Sequence, residues 1–170
     1  MRDIKSIERV ALLHPAVRLE VANIITEVEL KWPANIAVRI VQGLRTFEEQ
    51  DALYQKGRTT AGPSVTNAKP GSSYHQYGLA LDYALLYDND GNGNYEELSW
   101  SLVKDADKNG RKDWIEVSDA FVAKGWEWGG SWRTFIDNPH VQKTFHLHWK
   151  EMLKRYNNEE FIPDTKYIKL

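Results

Sequence analysis

The sequence predicts an α+β protein with a small, mostly antiparallel sheet packed against helices. Helical and strand-like segments alternate along the chain, and the strand-like ones are short. The 170 residues, 42% of them hydrophobic, suffice for one domain with a sizeable core. We therefore expect residues 1–170 to fold as a single domain.

The first half of the chain predicts three helices and a strand. A short helix capped by Ser6 precedes a second helix over about 15–30, which carries a proline in its first turn. The β-branched, partly alternating segment 36–42 predicts a strand. A threonine followed three residues later by a glutamate is a capping box, which predicts a helix over about 46–56.

The second half begins with a loop over residues 57–73, rich in Gly, Pro, Ser and Thr and long enough to indicate a functional role. Residues 79–86 predict a strand, and 88–94 predict a turn. A second Asp/Asn/Gly cluster leads into a helix that ends near Gly125. Residues 148–157 predict the last helix.

Charge and composition exclude several classes of partner. The formal net charge of −2 provides no basic field for nucleic acid or anionic membranes. With no cysteine, disulfides and thiolate metal sites are excluded, so a metal would need His, Asp or Glu ligands. No apolar run approaches the roughly 18 residues of a membrane span, and no signal peptide is recognisable.

Residues 73–82 contain a histidine and an aspartate that suit a metal. His75 and Asp82 lie seven residues apart, an odd spacing that would direct them to opposite faces of one regular strand. Gly78 lets the chain bend between them, so His75 can lie in a loop while Asp82 projects from the strand. Catalytic zinc takes three protein ligands and leaves a position for water. The candidates for the third ligand are His14, His140, His146 and His148.

The segment Asp137-Asn138-Pro139-His140 places an acid three residues before a histidine. Such a carboxylate can lie beside a metal ligand without binding the metal, as a general base acting on bound water requires. Glu127 is a rival base, although its tryptophan neighbours indicate a strand on which it faces solvent. On spacing alone, a hydrogen-bonded His/Asp pair without a metal is the commoner interpretation.

The pattern Ser-x-His-x-x-Gly-x-Ala-x-Asp, followed by Asp-x-Pro-His, resembles a family of zinc peptidases that includes D-Ala-D-Ala dipeptidases and carboxypeptidases. The similarity is greater to its phage and bacterial L-alanyl-D-glutamate endopeptidases. It runs in order from about residue 40 to 142. The supporting segments are Gly43-Leu44-Arg45-Thr46, Gln55-Lys56-Gly57-Arg58, Val65-Thr66-Asn67-Ala68 and Trp126-Glu127-Trp128-Gly129-Gly130.

The resemblance implies a hedgehog/D-Ala-D-Ala peptidase-like fold with zinc in a cleft. The zinc ligands that it implies are His75, Asp82 and His140. Asp137 matches the catalytic carboxylate, Arg45 matches a substrate-contacting arginine that stabilises the charged intermediate, and Ser73 matches a residue near the site. Two positions depart from the family pattern, Tyr83 and Val141, and neither change removes a ligand.

The function that the resemblance implies is hydrolysis of the peptidoglycan stem peptide, at the L-Ala–D-Glu bond, by an endolysin or an enzyme of wall turnover. A D-Ala-D-Ala carboxypeptidase or dipeptidase is the nearest alternative. A zinc-containing, non-catalytic module that binds wall or protein is an alternative of another class. We expect a monomer, made in the cytoplasm and reaching the wall by lysis or another export route.

Residues 105–116 fit the calcium loop of an EF-hand, within an insert over 88–116. The candidate calcium ligands are Asp105, Asp107, Asn109, Arg111, Asp113 and Glu116. Glu116 falls where a helix is predicted to begin, while Lys112 occupies a normally apolar position. The alternative is an Asp/Asn/Gly turn before a capped helix. His146 and His148 are more simply the solvated start of the last helix than a further metal site.

Overall fold

The structure is a computed structural model that describes all 170 residues, arranged as five α-helices and five β-strands. None of the helices is both long and apolar enough to cross a membrane. The helices are α1 (Ile4–Ala11), α2 (Pro15–Glu29), α3 (Phe47–Gln55), α4 (Asp113–Val122) and α5 (Trp149–Asn157). The strands are β1 (Ile36–Gln42), β2 (Ala80–Tyr87), β3 (Glu97–Ser99), β4 (Glu127–Trp128) and β5 (His140–Gln142).

Strand β2 is the centre of an entirely antiparallel sheet with the order β1-β2-β5-β4. β1 pairs along one edge of β2. Along the other edge, β5 pairs with residues 80–82 and β3 pairs with residues 85–87. Nearly every side chain of β2 is buried, in keeping with a segment that is hydrophobic apart from one aspartate. The one partly exposed residue in it is Asp82.

The core lies between this sheet and the helices α1, α2 and α4. Tyr83 of β2 packs against Trp114 and Phe121 of α4, with ring centroids 4.8 Å and 6.4 Å apart. All three side chains are fully buried. Many of the tryptophans and tyrosines of the chain therefore fill a small core with large rings.

Several predicted elements are found where the sequence places them. β1 spans the predicted residues 36–42, and α2 begins at Pro15. Both halves of the capping box form at the start of α3, where Thr46 accepts from the Glu49 amide and the Glu49 carboxylate accepts from the Thr46 amide. His148 caps α5, as expected for the start of the last helix.

The prediction that Ser6 caps the first helix is wrong. The cap is Asp3, whose carboxylate accepts from the Ser6 amide at 2.8 Å, while Ser6 lies inside α1 with its hydroxyl near the Val38 carbonyl. Asp3 also takes two hydrogen bonds from the Arg39 guanidinium of β1. Burial raises the pKa of the Asp3 carboxyl, but the Arg39 and Ser6 bonds outweigh it and lower that pKa overall.

Three further elements differ from the sequence prediction. α4 begins at Asp113, so Glu116 lies within its first turn rather than at its start. Strands β3 and β5 were not predicted, since three residues are too few to show an alternating pattern. Both strands form because β2 offers them hydrogen-bonding partners along one edge.

Candidate metal centre and active-site cleft

The register of the sheet gathers polar side chains on one of its faces. Asp82 of β2 lies directly opposite His140 of β5, and Gln142 of β5 lies opposite Glu127 of β4. Opposed residues in an antiparallel pair share a face, as do residues two apart on one strand. Asp82, His140, Gln142 and Glu127 therefore form a continuous polar row across three strands.

His75 approaches this row from a short 3₁₀ helix over Tyr74–Tyr77. The helix ends at Gly78, which has φ of 68° and lets the chain turn into β2. A Cβ at Gly78 would lie 2.6 Å from the His14 amide nitrogen, so only glycine fits there. The prediction of a bend between His75 and Asp82 is confirmed by this geometry.

The three side chains converge on one point. His75 Nε2 lies 3.2 Å from His140 Nδ1, and Asp82 Oδ1 lies 3.3 Å and 3.1 Å from these two nitrogens. Both histidines are buried, while the carboxylate keeps a fifth of its surface exposed. Of the four candidates for the third ligand, only His140 is part of this group.

The outer nitrogens of both histidines are hydrogen-bonded to oxygens. His75 Nδ1 lies 2.8 Å from the Gly43 carbonyl, which can only accept, so that nitrogen carries the proton. His140 Nε2 lies 3.0 Å from Gln142 Oε1, which also accepts. In the neutral imidazoles the inner nitrogens then direct lone pairs at each other and at a carboxylate, an arrangement that either a proton or a metal cation between them satisfies. Two imidazole nitrogens and one carboxylate oxygen fit zinc.

The charges of this group reinforce one another. Burial raises the pKa of Asp82, but the two neighbouring histidines outweigh it and hold that pKa far below its usual range. Burial lowers the pKa of His140, while its hydrogen bond to Asp82 more than offsets this and raises it. Asp82 is therefore ionised across the physiological range, as a metal ligand must be.

Asp137 is held by the turn that precedes β5. Its amide donates to the Gly129 carbonyl at 3.1 Å, and its own carbonyl accepts from the His140 amide at 3.2 Å. A Cβ at Gly129 would lie 2.4 Å from the Asp137 carbonyl oxygen, which explains glycine in the Trp-Gly-Gly segment. The indole of Trp128 donates to the Asn138 carbonyl at 2.8 Å and stabilises the same turn.

The Asp137 carboxylate lines the same cleft as the metal group without belonging to it. Burial raises its pKa, and the charge of Asp82 raises it further, while His140, His75 and Arg45 act in the opposite direction. A raised pKa brings a carboxyl closer to the range in which it exchanges protons near neutrality.

Arg45 lies on the other side of Asp82. Its Nη2 is 3.7 Å from Asp82 Oδ2, and its Nη1 donates to Gln50 Oε1 at 3.0 Å. Its Nε is buried and has no hydrogen-bond partner. Burial lowers the pKa of Arg45, and the nearby carboxylates counteract this, chiefly Asp82. A partly unsatisfied cation at the edge of a cleft suits a group that meets negative charge on a substrate.

These residues line a cleft of about 590 Å³. Residues 65–68 of the long loop line it, as do the aromatic side chains of Trp100, Trp132 and Phe135. The Trp132 ring lies over His140, with centroids 5.3 Å apart. Half or more of Trp100 and Phe135 is exposed. Ser73 also lines the cleft, and its hydroxyl makes no capping bond to the 3₁₀ helix.

The other sequence candidates lie elsewhere. His14 is buried at the start of α2, where its ring bonds the Ile168 carbonyl and the Ala16 amide. His146 lies in a turn and His148 caps α5. Glu127 is on β4 and its carboxylate accepts from Gln142 Nε2 at 2.8 Å. Sequence reasoning missed Gln142, whose spacing of two from His140 on a strand was the available signal.

The predicted calcium loop is only partly assembled. Carboxylate oxygens of Asp105, Asp107 and Asp113 lie within 4.8 Å of one another, as do those of Asp88, Asp90 and Glu96 in the preceding turn. The Glu116 carboxylate instead accepts from the Trp32 indole and from the Asn109 amide. The guanidinium of Arg111 pairs with Asp119. Calcium binding at 105–116 stays a prediction.

Residues 66–143 match the family described as D-alanyl-D-alanine carboxypeptidase. The chain is 46% identical over 107 residues to the peptidoglycan L-alanyl-D-glutamate endopeptidase CwlK of Bacillus subtilis, covering 63% of this chain and 60% of the relative. It is 35% identical over 119 residues to the L-alanyl-D-glutamate peptidase of Listeria phage A118, covering 66% and 33% respectively. It thus spans less than two thirds of either relative.

The fold is similar to that of the L-Ala D-Glu endopeptidase ChiX of Serratia marcescens. The TM-score is 0.51 at 23% sequence identity, over 84% of this chain and 88% of that one. The predicted α+β fold is confirmed by this likeness. The family match covers residues 66–143, which include His75, Asp82 and His140.

Proposed function

We propose that the protein is a zinc peptidase that hydrolyses the L-Ala–D-Glu bond of the peptidoglycan stem peptide. The observation that carries this proposal is the convergence of three metal-binding atoms, from His75, Asp82 and His140, in a cleft that also contains Asp137 and Arg45. A structural metal site would need no acid and no cation beside it.

Those three residues would hold the metal, leaving a position open toward the cleft. Bound zinc supplies a water of lowered pKa and a Lewis acid for the scissile carbonyl. Asp137 takes the proton of the attacking water and delivers it to the leaving amine, a role that its raised pKa favours. Arg45 stabilises the negative charge that develops on the substrate oxygen. Ser73 contacts the substrate from the cleft wall.

Two observations support the choice of bond. The curated relatives are named as L-alanyl-D-glutamate peptidases, and the Asp-x-Pro-His segment of this chain resembles the endopeptidase branch more than the carboxypeptidases. Residues 65–68 and Trp100 also line the cleft and offer a wall for stem-peptide residues beyond the scissile bond. Release of terminal D-Ala is the second candidate, because the matched family is described as D-alanyl-D-alanine carboxypeptidase.

We also propose that residues 1–170 act as one unit on the cell wall. The polar row crosses three strands, and Trp114 of α4 donates to the Asn138 carbonyl at 3.4 Å, so the insert region and the site share one core. A non-catalytic wall-binding module is less well supported, because it would not need the partly buried Arg45 cation next to Asp82.

Metal removal tests the proposed function. Protein treated with a chelator should release no new amino termini from purified peptidoglycan, and about one equivalent of zinc should restore the release. The variant His140→Ala should gain nothing from zinc. Full release by protein that elemental analysis shows to be free of metal would contradict a zinc peptidase.

A further inference from the structure

Glu127 and Gln142 form a chain of hydrogen bonds that ends on a metal-binding histidine. Glu127 Oε2 accepts from Gln142 Nε2 at 2.8 Å, and Gln142 Oε1 lies 3.0 Å from His140 Nε2. Cross-strand pairing of Glu127 with Gln142 sets the first contact, and the two-residue spacing along β5 sets the second. The proposed mechanism assigns no role to either residue.

The chemistry of the chain allows only one orientation of the amide. An ionised carboxylate has acceptors and no donors, so the NH₂ end of the Gln142 amide must face Glu127. The carbonyl end then faces His140, and it can only accept. His140 Nε2 is thus the protonated nitrogen, and Nδ1 keeps its lone pair toward Asp82 and His75.

The reverse orientation would be harmful. If the Gln142 amide turned over, its NH₂ would face His140 Nε2 and would require a lone pair there. The imidazole proton would then sit on Nδ1 and point at Asp82 Oδ1, 3.1 Å away. That tautomer fills the metal position with a proton, so the metal would have to displace it before binding.

We infer that Glu127 is a positioning residue that orients the Gln142 amide and so holds His140 in the tautomer that binds the metal. This inference rests on the proposed metal site. Glu127 is exposed while Gln142 and His140 are buried. The exposed carboxylate therefore orients a buried metal ligand through the Gln142 amide. Its contribution is to metal affinity and not to the fold.

Glu127→Gln tests this inference, because the new amide can face Gln142 with either end and no longer selects one orientation. Zinc affinity, measured by competition with a chromogenic chelator, should fall about 10-fold. The melting temperature of the metal-free protein should stay unchanged. Glu20→Gln is the matched control, since the Glu20 carboxylate pairs with Lys143, the residue after Gln142 on the chain, and touches no ligand.

Two further measurements separate positioning from a general structural effect. In a Gln142→Ala background, Glu127→Gln should cause no additional loss of affinity, because the chain is already broken. In ¹⁵N-labelled, zinc-loaded protein, the Nε2 proton of His140 should be protected from solvent exchange in the wild type and in Glu20→Gln. It should exchange rapidly in Glu127→Gln.

Three outcomes would overturn the inference. One is a zinc affinity of Glu127→Gln equal to that of Glu20→Gln. Another is a loss of affinity that persists in the Gln142→Ala background or is accompanied by an equal fall in metal-free stability. The last is a wild-type protein that takes up no zinc, which would overturn the proposed function as well.

Discussion

At the scale of single residues, the sequence predicts the metal-binding side chains better than the side chains that hydrogen-bond to them and orient them. His75 and Asp82 are seven positions apart in one motif, and Gly78 between them explains how they meet. The strand of Glu127 is indicated by its tryptophan neighbours, but the strand of Gln142 is too short to recognise, and the contact between the two side chains exists only through the pairing of β4 with β5. The spacing of residues in the sequence does not predict which strands pair.

Asp137→Ala isolates the proton-transfer step at this scale. The side chain lines the cleft but is not one of the three clustered metal-binding groups, so the variant should keep zinc and lose about 10²- to 10⁴-fold in kcat. Peptidoglycan hydrolysis and zinc content measured on the same sample check this. Asp51→Ala, which removes an exposed carboxylate on α3, serves as the control. A fully active Asp137→Ala variant would exclude this residue as the base.

At the scale of elements, sequence motifs predict the start of a helix correctly when the residues that cap the helix are close together in the sequence. The capping box of α3 is closed within four residues and was predicted correctly. The starts of α1 and α4 were misplaced because distant partners decide them. Asp3 is fixed by Arg39 of β1, and the buried Asp113 carboxylate accepts from the Tyr87 hydroxyl of β2 at 2.8 Å.

The loop before α4 carries a prediction of its own. Because Asp113 and Glu116 already accept hydrogen bonds from Tyr87 and Trp32, calcium would have to compete with these contacts. If the loop binds calcium as its sequence predicts, this competition should make the binding weak, with a Kd of about 10⁻⁴ to 10⁻³ M, measurable by calorimetry. Asp107→Asn should abolish the heat, and Asp90→Asn in the neighbouring turn should not. No heat at millimolar calcium would show the prediction to be wrong.

At the scale of the whole molecule, the site is assembled from segments far apart in the chain. The 3₁₀ helix brings His75, β2 brings Asp82, the turn before β5 brings Asp137, and the segment after β1 brings Arg45. The predicted fold class and its antiparallel sheet are confirmed. The aromatic lining by Trp100, Trp132 and Phe135 was not predictable, since it arises from tertiary packing of the insert and the final loops.

Digestion of a defined muropeptide, read by mass spectrometry, tests the central claim most directly. The substrate should carry the complete stem peptide, from the L-Ala attached to the sugar through the D-Ala-D-Ala terminus. With zinc, we expect a sugar-bearing fragment that ends in L-Ala and a peptide that begins with D-Glu. Release of terminal D-Ala alone would identify a carboxypeptidase, and an intact substrate in the presence of zinc would contradict a peptidase of the stem altogether.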